Sequence, residues 1–235
     1  MFKKIYLFLF LILASCGGGS SYNTPNVICS VEINADSICS ATGISETCAQ
    51  MITDVHPTWV ITDRAVGGLA LFSLVDGYST ACADCGLAKF GTQLPFSQII
   101  HTSKIVSIEL GGDDAFDYAY NGNGNATLYE SELRGVISNI QAQGKIALLT
   151  GILPFEASSP TYYPGDPFDQ ATVNLAAQFN IIQHKVATDT GSLDAHWDSV
   201  PFNPLTDTID GIHRTEPAMR LLVNQLINTI SPICK

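Results

Sequence analysis

Val31-Glu32-Ile33-Asn34-Ala35-Asp36-Ser37-Ile38-Cys39 is the stretch on which the reading of this chain turns. Residues 27–33 are rich in valine and isoleucine, the composition of a buried strand. The run breaks at alanine, an acid and a serine, and Ser40, Thr42 and Gly43 lead into a helix-like segment. In an open α/β sheet, ligands bind at the carboxyl ends of the strands. A serine there has an exposed hydroxyl close to the N–H groups of a helix start. Asp-Ser is equally an ordinary helix cap. What weighs against the plain cap is the far end of the chain, Asp210-Gly211-Ile212-His213, which adds an acid and a base.

The segments that follow repeat the strand-then-helix order. A short helix is expected over 44–51, a strand over 58–62, a glycine turn at Gly67-Gly68 and a helix start over 69–75. Residues 76–97 have no clear period and read as loop. A third strand, 104–110, is closed by Gly111-Gly112-Asp113-Asp114, and Asn121-Gly122-Asn123-Gly124-Asn125 reads as a surface turn. Leu133, Val136, Ile137 and Ile140 recur at helical spacing within 128–143. A fourth strand (145–150), a Pro, Ser and Tyr loop (155–167), a helix (168–188) and a brief fifth strand (192–197) come next. The last helix runs from a Thr215 cap, with Pro217 in its first turn, to Ile230. Such alternation predicts one three-layer α/β/α domain over 27–235, flavodoxin-like, around a mostly parallel five-stranded sheet. Any site should lie at the carboxyl ends of its strands.

Composition excludes some functions. Of 235 residues, 46% are hydrophobic and only 14% charged, enough for a large core. A formal net charge of −11 argues against nucleic acid or anionic lipid as a charge-held partner. Residues 1–15 read as a processing signal, with Lys3 and Lys4 before an apolar run too short to span a bilayer. It ends in Leu13-Ala14-Ser15-Cys16, which resembles a bacterial lipoprotein signal cleaved before a cysteine that is then diacylated. Residues 16–26 follow as a flexible tether. The expectation is an exported lipoprotein held at the outer membrane or cell surface through Cys16; an ordinary secretory peptide is the alternative. The other six cysteines fit an oxidising compartment. Joining near neighbours first and then the two ends gives Cys82–Cys85, Cys39–Cys48 and Cys29–Cys234. Cys82-Ala83-Asp84-Cys85 could also carry thiol exchange, but no thioredoxin-like strand precedes it. No second Cys or His pair stands at zinc-finger spacing.

Each polar cluster follows an expected strand: Ser37 the first, Gly68 the second, Asp113 the third. Ester hydrolysis by a serine needs a base on the hydroxyl, a group to orient that base, and donors for the developing oxyanion. His213 suits the base, Asp210 the orienting acid, and the N–H groups of Ser37 and Gly68 the oxyanion.

At these residues the chain resembles the SGNH, or GDSL, esterase and lipase family. Ala35-Asp36-Ser37-Ile38 is similar to the family's Gly-Asp-Ser-Leu block, with alanine for glycine, which implies Ser37 as nucleophile. Asp63-Arg64-Ala65-Val66-Gly67-Gly68 resembles the second block and implies Gly68 as an oxyanion donor. Asp210-Gly211-Ile212-His213 matches the Asp-x-x-His block. Gly111-Gly112-Asp113-Asp114 resembles Gly-x-Asn-Asp, but the amide donor is here Asp113. An ionised aspartate would repel the oxyanion, and losing one donor alone costs roughly 2.7–4 kcal/mol. Only a buried, protonated Asp113 could donate.

The resemblance implies hydrolysis of a carboxylic ester, such as an acylated carbohydrate, a lipid or a small ester, with no metal or cofactor. The alternative is a surface lipoprotein that keeps the fold to bind glycan with little catalysis. His56, His101, His184 and His196 read as surface or internally satisfied residues. Tyr162, Tyr163 and Trp197 could wall a sugar site or simply pack their loops.

Overall fold

The computed structural model describes residues 29–77, 94–122, 124–154, 170–210 and 212–234. The signal segment, Cys16, the tether, Cys82, Cys85, Tyr162 and Tyr163 lie outside the described residues. β1 (Ser30–Ala35), β2 (Val60–Asp63), β3 (Ile105–Glu109), β4 (Ile146–Leu149) and β5 (Leu193–Asp194) form one sheet in the order β2-β1-β3-β4-β5. Every pairing in it is parallel, as expected when helices connect successive strands.

Strand alternation sorts the side chains of β1 to opposite faces. Val31, Ile33 and Ala35 join one core cluster with α1 (Cys48–Val55) and α7 (Glu216–Ile230). The other cluster takes Val106 and Ile108 of β3 and Ala147 and Leu149 of β4. It packs them under α2 (Leu71–Asp76), α3 (Gly112–Asn121), α4 (Ala126–Ala142) and α5 (Gln170–Thr190). This is the three-layer arrangement read from the sequence, and α6 (Pro204–Asp207) is a single short turn beside it. Among the described residues no helix is long and apolar enough to cross a membrane.

Some expectations need correction. Gly111-Gly112-Asp113-Asp114 does more than close β3, because it opens α3, a helix the sequence reading did not contain. Five of its ten residues are Gly, Asp or Asn, so it carries little apolar signal; Ala115 and Tyr118 are the hydrophobic side chains it buries. β5 is two residues long, where six were expected. Thr215 occupies the N-cap position of α7, but among the described residues its side chain makes no capping bond. A reciprocal capping box forms instead at α1, between Thr47 and Gln50. Trp197 is buried in the core, with 1% of its surface exposed, and is no sugar-binding wall.

Two of the expected disulfides are present, Cys29–Cys234 and Cys39–Cys48. The first joins residues 205 apart in sequence, fixing the start of β1 to the segment just after α7. The second pins the turn after β1 to the first residue of α1, reinforced by a Cys48 N–H bond to the Cys39 carbonyl at 3.1 Å.

Candidate active site

The strand order reverses direction between β1 and β3, and that switch point is where such a sheet opens a crevice. Register pairs Ala35 with Glu109, so both chains leave the sheet at one level. Ser37 follows on one side and Asp113 on the other. The Asp36 carboxylate accepts the Ile38 N–H at 2.8 Å and so folds the chain sharply around Ser37. On the β2 side, Val66 N–H donates to the Ala35 carbonyl at 2.9 Å. That brings the Val66–Leu69 turn alongside, with Gly68 at φ 77° in a position that favours glycine. A Cβ on the neighbouring Gly67 would stand 3.8 Å from the Ser37 Cβ, so this loop lies against the nucleophile.

The other half arrives from the loop before α7. Thr208 and Arg214 form an antiparallel bridge, and Ile209 N–H donates to the His213 carbonyl at 2.8 Å. Within this clasp Asp210 Oδ1 accepts the N–H groups of Ile212 (3.0 Å) and His213 (2.8 Å). Its Oδ2 meets His213 Nδ1 at 2.6 Å, and His213 Nε2 lies 3.0 Å from Ser37 Oγ. Burial opposes ionisation of Asp210, but the bonds from His213 and Ile212 outweigh it and lower its pKa. Asp210 therefore stays an anion that orients the ring and leaves Nε2 to face the serine. Ser37, Asp210 and His213, 176 residues apart at the extremes, are brought together as the sequence reading expected.

Behind the serine lies a cluster of acids whose extent sequence reading missed. Asp36, Glu109 and Asp114 are buried, and Asp113 Oδ2 is buried with no hydrogen-bond partner among the described residues. Burial pushes Asp36 up to about 7, against the bond from Ile38 N–H. Glu109 rises well above its ordinary value through burial and the charge of Asp36, to which its carboxyl is hydrogen-bonded. Asp113 is also raised well above the carboxylate range, by burial and then by Asp36. Asp114 holds the neighbouring helix in place, because its carboxylate caps α2, accepting Leu71 N–H at 2.8 Å and Phe72 N–H at 3.3 Å. Burial nonetheless pushes it up to about 7. Glu109 could have been noticed as a lone acid inside an apolar strand.

Gly111 sets the approach of α3. Its φ is 136°, and a Cβ there would collide with Ile152 and the Tyr129 hydroxyl. Arg214, also unremarked in the sequence, is a buried cation beside this region. It is 2% exposed, donates to the Pro154 carbonyl at 3.1 Å and stacks 3.6 Å over the Phe202 ring. Burial lowers it to about 10, against the pull of Asp207 and Glu109. The arrangement as a whole can deprotonate a serine hydroxyl through His213.

No family profile matches the sequence, and no curated protein does. Solved structures do match the fold. A GDSL-lipase-like protein from Parabacteroides merdae superposes with a TM-score of 0.62 at 14% identity, covering 88% of this chain and 96% of that one. Axe2, an acetylxylan esterase from Geobacillus stearothermophilus, gives 0.60 at 13% identity, covering 87% and 96%. LAE5, an α/β hydrolase from the metagenome of Lake Arreo, gives 0.60 at 12%, covering 86% and 95%. The chain thus has the fold of the SGNH hydrolases.

Proposed function

We propose that this protein is a serine hydrolase of carboxylic esters, acting through an acyl-enzyme on Ser37. The observation that carries the proposal is the continuous relay from Ser37 Oγ to His213 Nε2 (3.0 Å) and from His213 Nδ1 to Asp210 Oδ2 (2.6 Å). Ser37 Oγ attacks the ester carbonyl while its proton passes to His213 Nε2. The oxyanion meets the N–H groups of Ser37 and Gly68 and the acid proton of a neutral Asp113. His213 then protonates the leaving alcohol and takes a proton from water; the hydroxide attacks the acyl carbon, the bond to Ser37 Oγ breaks, and His213 returns its proton to Oγ as the acid leaves.

The likeness to the acetylxylan esterase supports a short acyl group on a carbohydrate as substrate. A second reading, a glycan-binding lipoprotein with weak catalysis, is favoured by one observation: an acid stands where an amide donor is expected. We also propose that Cys16 is diacylated and holds the protein at a membrane, which the Leu13-Ala14-Ser15-Cys16 boundary supports.

A fluorophosphonate probe should label the wild-type protein and fail to label Ser37→Ala. Release of acetate from acetylated xylooligosaccharides should exceed hydrolysis of long-chain esters. A folded wild-type protein that neither labels nor turns over any ester would leave the binding reading in its place. Cys16→Ser should move the protein out of the membrane fraction.

A further inference from the structure

Away from the Ser37 site, three side chains converge at the carboxyl end of β5. Asp194 is the last residue of that strand, His196 follows two residues later, and His184 comes from the second half of α5. His184 Nδ1 lies 2.6 Å from Asp194 Oδ2, and His196 Nε2 lies 3.6 Å from the same oxygen. One ligand atom from each of the three residues falls within 4.8 Å of the other two. Asp194 and His184 have further neighbours. Asp194 Oδ1 accepts the His196 N–H at 3.1 Å, which leaves Oδ2 as the converging atom. His184 Nε2 stands 3.1 Å from Asp198 Oδ2, which itself accepts from Asn180 Nδ2 at 3.0 Å.

We infer that His184, Asp194 and His196 form a binding site for one borderline divalent transition-metal ion, of which Zn²⁺ is the prototype.

Two imidazoles and one carboxylate are the donor set such ions take, whereas Ca²⁺ and Mg²⁺ ask for oxygen alone. Tetrahedral ligands about 2.0–2.1 Å from zinc stand roughly 3.3 Å apart, close to the separation between His196 and Asp194. The shorter contact between His184 and Asp194 is a hydrogen bond, and it must open by about 0.7 Å when the metal replaces the proton there. That proton is the one displaced: His184 Nδ1 and Asp194 Oδ2 each give a lone pair to the ion, and the proton leaves to solvent. The remaining ring proton then sits on Nε2 facing Asp198, the carboxylate–histidine–metal arrangement that orients a ligand from behind. Burial opposes a charge on His184, but Asp194 and Asp198 outweigh it and raise its pKa, so protons compete with the metal.

A second observation separates this from a plain ion pair. His196 is held at φ 49° and ψ 50°, a left-handed conformation that costs energy outside glycine. It turns the imidazole back to stack on the His184 ring, with centroids 4.7 Å apart and planes at 19°. An ion pair between His184 and Asp194 needs neither that strain nor the second ring. With the side chain of His196 55% exposed, solvent can reach the ion and supply a fourth ligand. Bound metal would tie the end of β5 to α5 and to the turn at Trp197–Ser199.

The test uses the full mature protein, stripped with a chelator, dialysed, and alkylated so that no free thiol can bind metal. Isothermal titration with Zn²⁺ should give one site per chain with micromolar or tighter affinity. Co²⁺ should produce the visible bands of a tetrahedral N,O site, and Zn²⁺ should raise Tm. His184→Ala, Asp194→Asn and His196→Ala should each weaken binding at least tenfold, while His56→Ala should not. Because His196 is exposed, His196→Ala tests the site without threatening the core. Absence of stoichiometric uptake, or equal uptake by wild type and His196→Ala, overturns the inference. These readouts do not involve ester turnover, so they stand or fall apart from the proposed hydrolysis.

Discussion

Two histidines in this molecule hold an aspartate in the same way, and they part company at the other ring nitrogen. His213 and His184 each place Nδ1 2.6 Å from a carboxylate oxygen. Beyond His213, Nε2 meets a serine hydroxyl at 3.0 Å; beyond His184, it meets a second carboxylate at 3.1 Å. A base needs a lone pair directed at the proton it will take. One carboxylate fixes the tautomer that leaves that lone pair on Nε2. A second carboxylate facing Nε2 adds negative charge there instead and favours the cation. The same Asp–His contact thus prepares a base in one place and a charged clamp in the other.

The largest test of that contrast is catalytic. Ser37→Ala and His213→Ala should each lower kcat/KM for a chromogenic acetate ester by about 10⁴–10⁶, and the double variant should lose no more. His184→Ala, assayed in chelator, should lose less than tenfold. A Ser37→Ala protein that still turns over ester, folded by circular dichroism, removes the mechanism. Next comes the orienting acid. Asp210→Asn should cost about 10²–10⁴ in kcat, because an amide can settle the ring in the wrong tautomer.

Asp113 gives a smaller and pH-dependent effect. Asp36 and the carboxyls of Glu109 and Asp114 crowd this corner, and His213 must be neutral for the reaction. The profile of kcat/KM should have an alkaline limb that comes from ionisation of Asp113. Asp113→Asn should flatten the alkaline limb and raise the rate there by about tenfold or more, since an amide donates at every pH. An unchanged limb, or an inactive but folded Asn variant, excludes the protonated donor.

Stability should carry the same signature. Asp36 and Asp114 have folded pKa values raised to about 7. Their protonated forms are the ones the fold accommodates, so this stability is complete below about pH 4 and is lost as pH rises through about 7. Tm should fall by several degrees between pH 5 and pH 8, and less steeply in Asp114→Asn. The smallest effect belongs to His184, whose pKa is raised. Its contribution is present below about pH 6.5 and fades as pH rises through the folded value. In chelated buffer His184→Ala should therefore lower Tm by about 2–4 °C at pH 5, for about 1 kcal/mol, and by less at pH 9. Equal losses at both pH values would mean that only packing was removed.

The sequence made β1, β3 and β4 legible because each is a compact apolar run with glycine or polar residues at its end. Ser37, Asp210 and His213 were legible because their short blocks stand in a recognisable order at strand ends. α3 was not, since Gly112, Asp113, Asp114, Asp117 and Asn121 dilute its apolar face. Its place is settled by tertiary contacts, chiefly Asp114 capping α2. Trp197 could be read either as the wall of a site or as packing, and its burial in one core cluster with α7 decides for packing. His184 and His196 lie on different elements at no ligand spacing, so their meeting at Asp194 depends on where β5 ends. Arg214, next to His213 in sequence, drew no notice because its partners, Pro154 and Phe202, are remote in pattern.

The Cys29–Cys234 bridge has a mechanical consequence. It closes the described domain into a covalent ring at the residue where β1 is about to begin. A pull on the chain preceding Cys29 cannot unzip β1 from its free end, because the same tug is shared at once with the last turn after α7. The load enters on an interior strand and a packed helix together, in parallel. A cut in any loop between the two cysteines would likewise leave both fragments tethered. If the preceding segment is moored to a membrane, the domain hangs from a closed loop, and shear on the mooring strains the ring before it reaches Ser37.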